Sequence, residues 1–418
     1  MSAPDEGPPG RDGFARWITG RASWPVLSAA LLVYVLSAGR MLGVHRAGMD
    51  NAVVVRAARA LLDGGSPYAD KRFLYLPGAV FAALPQAPLS NATLGRVVPF
   101  ATAALVLAGV LLALRIFDVR ADSRLAAALT AGLGLFLPFQ SIVHLGNWTA
   151  ASAVAFPAAL LLARHGRWTA AGVTVGAAIA LKPMLVPLLL LFLLARRWRA
   201  LAWAAVLPAL VSLAAALAMP RPGLFLTKTL PFLLHGQDDY ARPFDASWSA
   251  VLPRLGVPRP LAFTLAAAAA VAVLAVARLR WRRGGHEALR LVECGSLLML
   301  AAFLVSRPSF LHYALVIVPA LVASVVVRGA AVRSVWFWMA LLPQLADVAW
   351  PELGSARRHA FKDVMMFTGM AAVLALAAWR RAPETARGVT VSGVTYSLSS
   401  DPGPRNPSGM PRDPSEMR

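Results

Sequence analysis

The side chains in this chain best able to do chemistry sit where apolar runs end. Asp50 comes first, at the start of a long polar connection just after an apolar stretch. A carboxylate at a membrane boundary is costly unless it has a task. It can serve as general base on a hydroxyl, or simply cap the helix that follows. Lys182, beside Pro183 between two apolar runs, places an ammonium close to membrane depth. There it can meet a lipid-linked phosphate or snorkel to headgroups. The run Asp245-Ala246-Ser247-Trp248-Ser249 with Arg254 offers an acid, hydroxyls, an aromatic face and a guanidinium. Those are the groups that bind a carbohydrate or a phosphate. Arg307 and His312, within Ser306 to Tyr313, can together hold a phosphate or a sugar hydroxyl. His144 and Asn147 carry less, and the Asn147-Trp148-Thr149 sequon reads as chance. The chain has no GxxxxGK[ST], HExxH, CxxC or nucleophile elbow, which argues against a nucleotide-driven pump, a zinc protease and a serine hydrolase. No metal-ligand set is evident.

The elements that must position these residues are membrane helices. Of 418 residues, 58% are hydrophobic and only 15% charged, and the mean hydropathy is +0.61. A soluble domain of this size is far less apolar. The net charge of +21 comes from arginines clustered between apolar runs. That is the pattern of cytoplasmic connections rather than of a nucleic-acid partner. The single cysteine, Cys294, reads as a small core residue. Heavy use of Arg and Ala hints at a bacterial genome, hence a bacterial plasma membrane.

A span of an apolar layer about 30 Å thick takes ~20 helical residues. The expected spans, about twelve, are 23–44, 96–117, 125–142, 149–163, 168–181, 184–195, 199–219, 261–279, 291–306, 310–327, 333–350 and 362–379. Residues 1–22 are polar with no cleavable signal, so the first run is expected to stay as a signal anchor. Short basic connections set the orientation. Arg115/Arg120/Arg124, Arg164/Arg167, Arg196/Arg197/Arg199, Arg278 to Arg283, Arg328/Arg333 and Arg380/Arg381 are expected in the cytoplasm, with both termini. Parity then requires 73–89, broken by Pro77, Pro85 and Pro88, to lie on or dip into the outer leaflet. Residues 168–195, basic at both ends, go out and return, with Lys182-Pro183 at the tip. The outer connections are then 45–95, 141–148, 220–260 and 351–361. Residues 381–418 read as a disordered cytoplasmic tail, and no internal repeat stands out.

These residues resemble a known family, the polyprenol-phosphate-mannose-dependent α-mannosyltransferases of glycosyltransferase family 87, in the GT-C superfamily. The likeness covers most of residues 20–330. Asp50, then Ala57 through Tyr68, is similar to the family's first outer loop, an acid followed by a helix ending in Gly and Pro-Tyr. Phe73-Leu74-Tyr75-Leu76-Pro77 resembles its juxtamembrane aromatic-Tyr-Pro-Pro element. Gly166-Arg167 through Lys182-Pro183 to Arg196-Arg197-Trp198-Arg199 is similar to its central hairpin. Ser306 to Tyr313 looks like its Ser-Pro-x-Ser-Trp-x-His-His stretch. The departures are Gly146-Asn147-Trp148-Thr149 for Gly-Gln-x-Asn, Asp245-Ala246-Ser247 for Asn-Gln-Ser, Phe310 for the tryptophan and Tyr313 for the second histidine.

The resemblance implies an all-α polytopic GT-C fold spanning 23–380, with a long first outer loop carrying juxtamembrane helices. It implies an inverting glycosyltransferase working at the extracytoplasmic face. A polyprenyl-phosphate-linked sugar, most simply mannose, would be its substrate, a cell-envelope glycolipid or glycan its acceptor, and no cofactor or metal is needed. Asp50 would deprotonate the acceptor. Lys182, Arg254, His312 and Arg307, with Tyr75, Asp245, Ser247 and Trp248, would hold the donor's phosphate and sugar. An arabinofuranosyltransferase of the same superfamily is the near alternative. A transporter or flippase of a lipid-linked glycan is the distant one, and predicts charges deep in several spans and an inverted repeat.

Overall fold

Proline and glycine decide where the helices of this apolar chain stop, and the computed structural model shows where those stops lie. It describes residues 12–42, 44, 47–233, 244–346 and 348–380. The remainder of 1–22, the centre of the 220–260 connection and the tail 381–418 lie outside the described residues. In chain order the helices are α1 (Gly13–Thr19), α2 (Trp24–Gly39), α3 (Met49–Leu62), α4 (Pro77–Ala83), α5 (Asn91–Arg115) and α6 (Arg124–Gly134). Then come α7 (Leu137–Leu145), α8 (Thr149–Arg164), α9 (Trp168–Leu181), α10 (Leu189–Leu194) and α11 (Trp198–Leu217). The last are α12 (Trp248–Arg254), α13 (Arg259–Arg282), α14 (Glu287–Val305), α15 (Ala314–Ala323), α16 (Val335–Leu341) and α17 (Ser355–Arg380). Among the described residues there is no strand, only isolated bridges such as Asp245 with Phe310.

The all-helical membrane architecture is as expected, but the helices are less uniform than apolar runs suggest. Among the described residues five are long and apolar enough to cross a membrane, within α5, α11, α13, α14 and α17, and five shorter apolar helices of 10–17 residues accompany them. The run 125–142 is two helices rather than one span. Pro138 has no N–H for the Gly134 carbonyl, and the Gln140 side chain takes that carbonyl instead at 3.3 Å. Among its described residues beyond Arg333, which ends a 3₁₀ turn, the run 333–350 is helical over α16 and the following 3₁₀ turn Leu342–Gln344, which contains Pro343. Pro183 and Pro187 likewise turn the return arm of the central hairpin into 3₁₀ helix, Pro183–Leu188, before α10.

Helices pair where small residues let backbones approach. A Cβ added to Gly176 would meet the Trp203 carbonyl at 2.8 Å, so α9 and α11 touch backbone to backbone. The large core is built around α14 and α15, nearly every residue of which is buried. The connection after α2 builds a second, smaller core of its own: Val54, Ala57 and Ala58 of α3 pack on Tyr68, Phe73 and α4, closed by Ala215 of α11 and by Met219 just beyond it. Residues 73–86 thus form an irregular segment, a short helix and a 3₁₀ turn docked beside α11.

Candidate functional site

Asp50 lies in the first turn of α3, where the positive end of the helix dipole favours a carboxylate. The turn before it is fixed by Gly48, at φ 72°, whose N–H bonds the His144 carbonyl at 2.7 Å. The chain leaving α7 turns at Gly146, φ 61°. A Cβ there would also meet Val98 Cγ1 at 2.6 Å and Asn51 Cβ at 3.2 Å. Glycine is therefore required twice over, by conformation and by space. Next door, Asn51 receives the Trp148 indole N–H at 3.0 Å and donates to Gln86 Oε1 at 2.8 Å, which ties α3 to both flanking loops.

This packing places Asn147 between two charges. Its Nδ2 donates to Asp50 Oδ2 at 2.5 Å. Its Oδ1 accepts from Lys182 Nζ at 2.8 Å, from the Thr149 N–H at 2.8 Å and from Thr149 Oγ1 at 2.6 Å. Lys182 arrives from the break between α9 and the 3₁₀ turn, and donates to Thr149 Oγ1 as well, at 2.8 Å. Its ammonium lies 5.8 Å from the Tyr75 ring centre and 5.0 Å from that of Tyr313, within cation–π range. Tyr75 is held by an edge contact on Trp148, and its carbonyl accepts the buried Tyr68 hydroxyl at 3.1 Å.

A second sector abuts the first through Tyr313. His312, 1% exposed, stacks on Phe310 at 5.5 Å and meets Tyr313 edge-on at 5.2 Å, and its Nε2 has no hydrogen-bond partner among the described residues. Asp245, 2% exposed, accepts the backbone N–H groups of Ser247 at 2.9 Å and Ser309 at 3.0 Å, stitching the 244–249 segment to 307–313. Arg307 Nε stands 4.0 Å from the Asp245 carboxylate, with its guanidinium over Phe263. Arg254 donates to the Asp245 carbonyl. Ser247 is buried against Ser249, Oγ to Oγ 3.0 Å, and the Trp248 indole N–H is taken by Thr368 of α17 at 2.9 Å. Among the described residues no three His, Cys, Asp or Glu side chains cluster as a metal site would require.

Burial sets the electrostatics. Desolvation pushes the Asp50 carboxyl above the usual carboxylate range, and the Asn147 bond, Lys182 and His144 pull it partly back. Asp245 is raised for the same reason, opposed by the N–H groups of Ser309 and Ser247 and by Arg307. Lys182, at the hairpin tip between its two helices, is lowered by burial to about 8, with Asp50 acting against the shift. The site can thus offer a carboxylate of raised basicity a few ångströms from a cation with one proton left to give.

The sequence-derived candidates Asp50, Lys182, Tyr75 and His312 are brought together through Asn147 and Tyr313, and Asp245, Arg254 and Arg307 form the adjoining sector. Ser247 and Trp248 bond inward beneath that sector. Asn147 is the residue that the sequence reading named only as a weaker candidate. Its one signal was its place in a Gly-x-x-Thr stretch aligned with a polar family motif.

Comparison with known proteins follows the same lines. The model of glycosyltransferase family 87 matches residues 73–306, which take in Tyr75, Lys182, Asp245 and Arg254. Two strains of Mycobacterium tuberculosis, CDC 1551 and H37Rv, carry a relative named alpha-(1->3)-arabinofuranosyltransferase that is 31% identical over 282 residues, 65% of this chain and 63% of the relative. The chain thus spans a little under two thirds of the length of these mycobacterial relatives. A Corynebacterium glutamicum protein of the same name is 26% identical over 322 residues, 73% of this chain and 74% of its own length. No solved structure matches the chain.

Proposed function

The chain belongs to glycosyltransferase family 87, and on that premise we propose that it is a membrane glycosyltransferase that moves an arabinofuranosyl group from a polyprenyl-phosphate donor to a cell-envelope glycan. The relatives' names favour arabinofuranose over the mannose expected from sequence alone. The observation that carries the reaction is the Asp50–Asn147–Lys182 chain, its two charged ends half-buried and its amide buried. The acceptor hydroxyl gives its proton to the Asp50 carboxylate as its oxygen bonds to the anomeric carbon. The bond from that carbon to the phosphate oxygen breaks with inversion, and polyprenyl phosphate leaves. Lys182, through its remaining N–H, and His312, through its unpartnered Nε2, face the developing phosphate charge. Arg307 and Arg254 add positive potential from the adjoining sector, where Asp245, Ser247 and Trp248 shape the wall.

The Asp50 end faces away from the cytosol in this reading, at the bacterial plasma membrane. The support is that Arg115, Arg164 and Arg167, and Arg197 on Trp168, gather at the opposite ends of α5, α8, α9 and α11. A lipid-linked donor then enters sideways from the bilayer. The test is a membrane assay with polyprenyl-phosphate donors carrying arabinofuranose or mannose, product identified by mass spectrometry. Transfer of arabinofuranose, lost in Asp50→Asn, is the expected result. Transfer of mannose alone would overturn the sugar assignment.

A further inference from the structure

We infer that Asn147 is a positioning residue whose amide keeps the Asp50 carboxylate and the Lys182 ammonium apart, so that the acid stays basic and the cation stays free for a phosphate. This rests on the reaction proposed above, but it concerns a residue that neither the family match nor the relatives' names assign.

The geometry fixes the amide's direction. Three donors converge on Oδ1: Lys182 Nζ, the Thr149 N–H and the Thr149 hydroxyl. A flipped amide would set its NH₂ against two groups that can only donate, the Lys182 ammonium and the Thr149 N–H, and its oxygen against the Asp50 carboxylate, so Nδ2 must face Asp50. Asn147 is 4% exposed and Thr149 fully buried, so the amide itself is shielded from water, while Asp50 and Lys182 at its two ends are half-buried. Opposite charges in a half-buried place attract more strongly than in water, yet the ammonium here meets the carboxylate through the amide.

Direct contact would have two consequences. An adjacent cation lowers a carboxylate's pKa by about 1–3 units, and a weaker base transfers protons less readily in the transition state. The ammonium would also spend on Asp50 the hydrogen that a phosphate needs. The other groups facing Asp50 do not supply this control. His144 on α7 acts only weakly on it, and Tyr313 and Tyr75 lie around the Lys182 side. On its own helix, Arg56 pairs with Asp70 at 3.7 Å and Arg59 bonds the backbone at Ala87 and Leu89. The packed helix α4 carries no titratable side chain.

The sign of one shift decides the matter. If Asn147 were merely a hydrogen-bond donor, Asn147→Ala would raise the Asp50 pKa. If it is a spacer, Lys182 closes in and the pKa falls. Infrared titration of the purified protein reads the carboxylic C=O band, identified as that of Asp50 by its absence in Asp50→Asn. We expect the midpoint in Asn147→Ala about one unit or more below wild type. The acid limb of kcat/KM should move the same way, and transfer at neutral pH should fall about tenfold or more. The smaller change Asn147→Ser is read identically if the alanine variant does not fold, and Asn147→Gln should restore most of the wild-type midpoint. A midpoint that stays or rises overturns the inference. An active Asp50→Asn enzyme would instead overturn the proposed reaction and leave the infrared result standing on its own.

Discussion

The chemistry assigned to this chain depends on two ionisable groups pushed toward each other's range by burial. Asp50 is raised above the ordinary carboxylate value and must be ionised to accept a proton, so transfer should fall as pH drops through that raised value. Lys182, at about 8, must be charged to hold a phosphate, so transfer should also decline as pH rises through about 8. A bell-shaped profile follows. Arginine stays charged at any accessible pH, so Lys182→Arg should flatten the alkaline limb while raising the donor KM, because a planar fork fits the Asn147–Thr149 pocket less well. An unchanged alkaline limb in that variant would take Lys182 out of the profile. The sequence announced Asp50 and Lys182 because a charge at the end of an apolar run is conspicuous. Asn147 carries no charge, and its importance comes from meeting a residue 97 positions earlier. No local pattern displays such a contact.

At the scale of elements, the site is held by turns rather than by helix faces. Gly146 ends α7 in a left-handed conformation that costs an L side chain about 1–2 kcal/mol. Its missing Cβ leaves room for Val98 and Asn51. Gly146→Ala should therefore lower stability by at least that cost, seen as a lower thermal midpoint, and reduce transfer further than the stability loss explains, since Asn147 moves with the turn. Thermal melting beside turnover measures both. The proline-marked breaks at 77, 85 and 183 were legible because proline acts on its own neighbours. The division of 125–142 into α6 and α7 was not, although Pro138 caused it, because an apolar run with one proline also describes a kinked span. Residues 333–350 misled for a related reason: Trp336, Trp338 and Leu342 make the stretch apolar without making it continuously helical.

For the molecule as a whole, the arginine clusters and the polar connections lie at opposite helix ends, and one ion pair helps fix the end away from Asp50. Arg280, 1% exposed, donates to Glu293 at 2.6 Å and to the Gly284 carbonyl at 2.9 Å, and Glu293 accepts the Ala331 N–H at 3.2 Å. Removing one member leaves a buried charge uncompensated. Glu293→Leu is thus expected to cost about 3–5 kcal/mol, seen as lower yield and earlier melting, with KM for the folded fraction unchanged. The family was legible at this scale because its motifs keep their order along the chain, even where individual residues depart. The sugar was not, because the mannose expectation came with the family resemblance rather than from any residue of this chain. Orientation gives a further check, because a tag inserted at Gly64 should react with an impermeant reagent from outside the cell. The most direct measurement is sugar transfer in membranes from a polyprenyl-phosphate donor, wild type against Asp50→Asn at matched protein level. Loss of product by two orders of magnitude or more is the outcome this account predicts. A variant that turns over at the wild-type rate would contradict it.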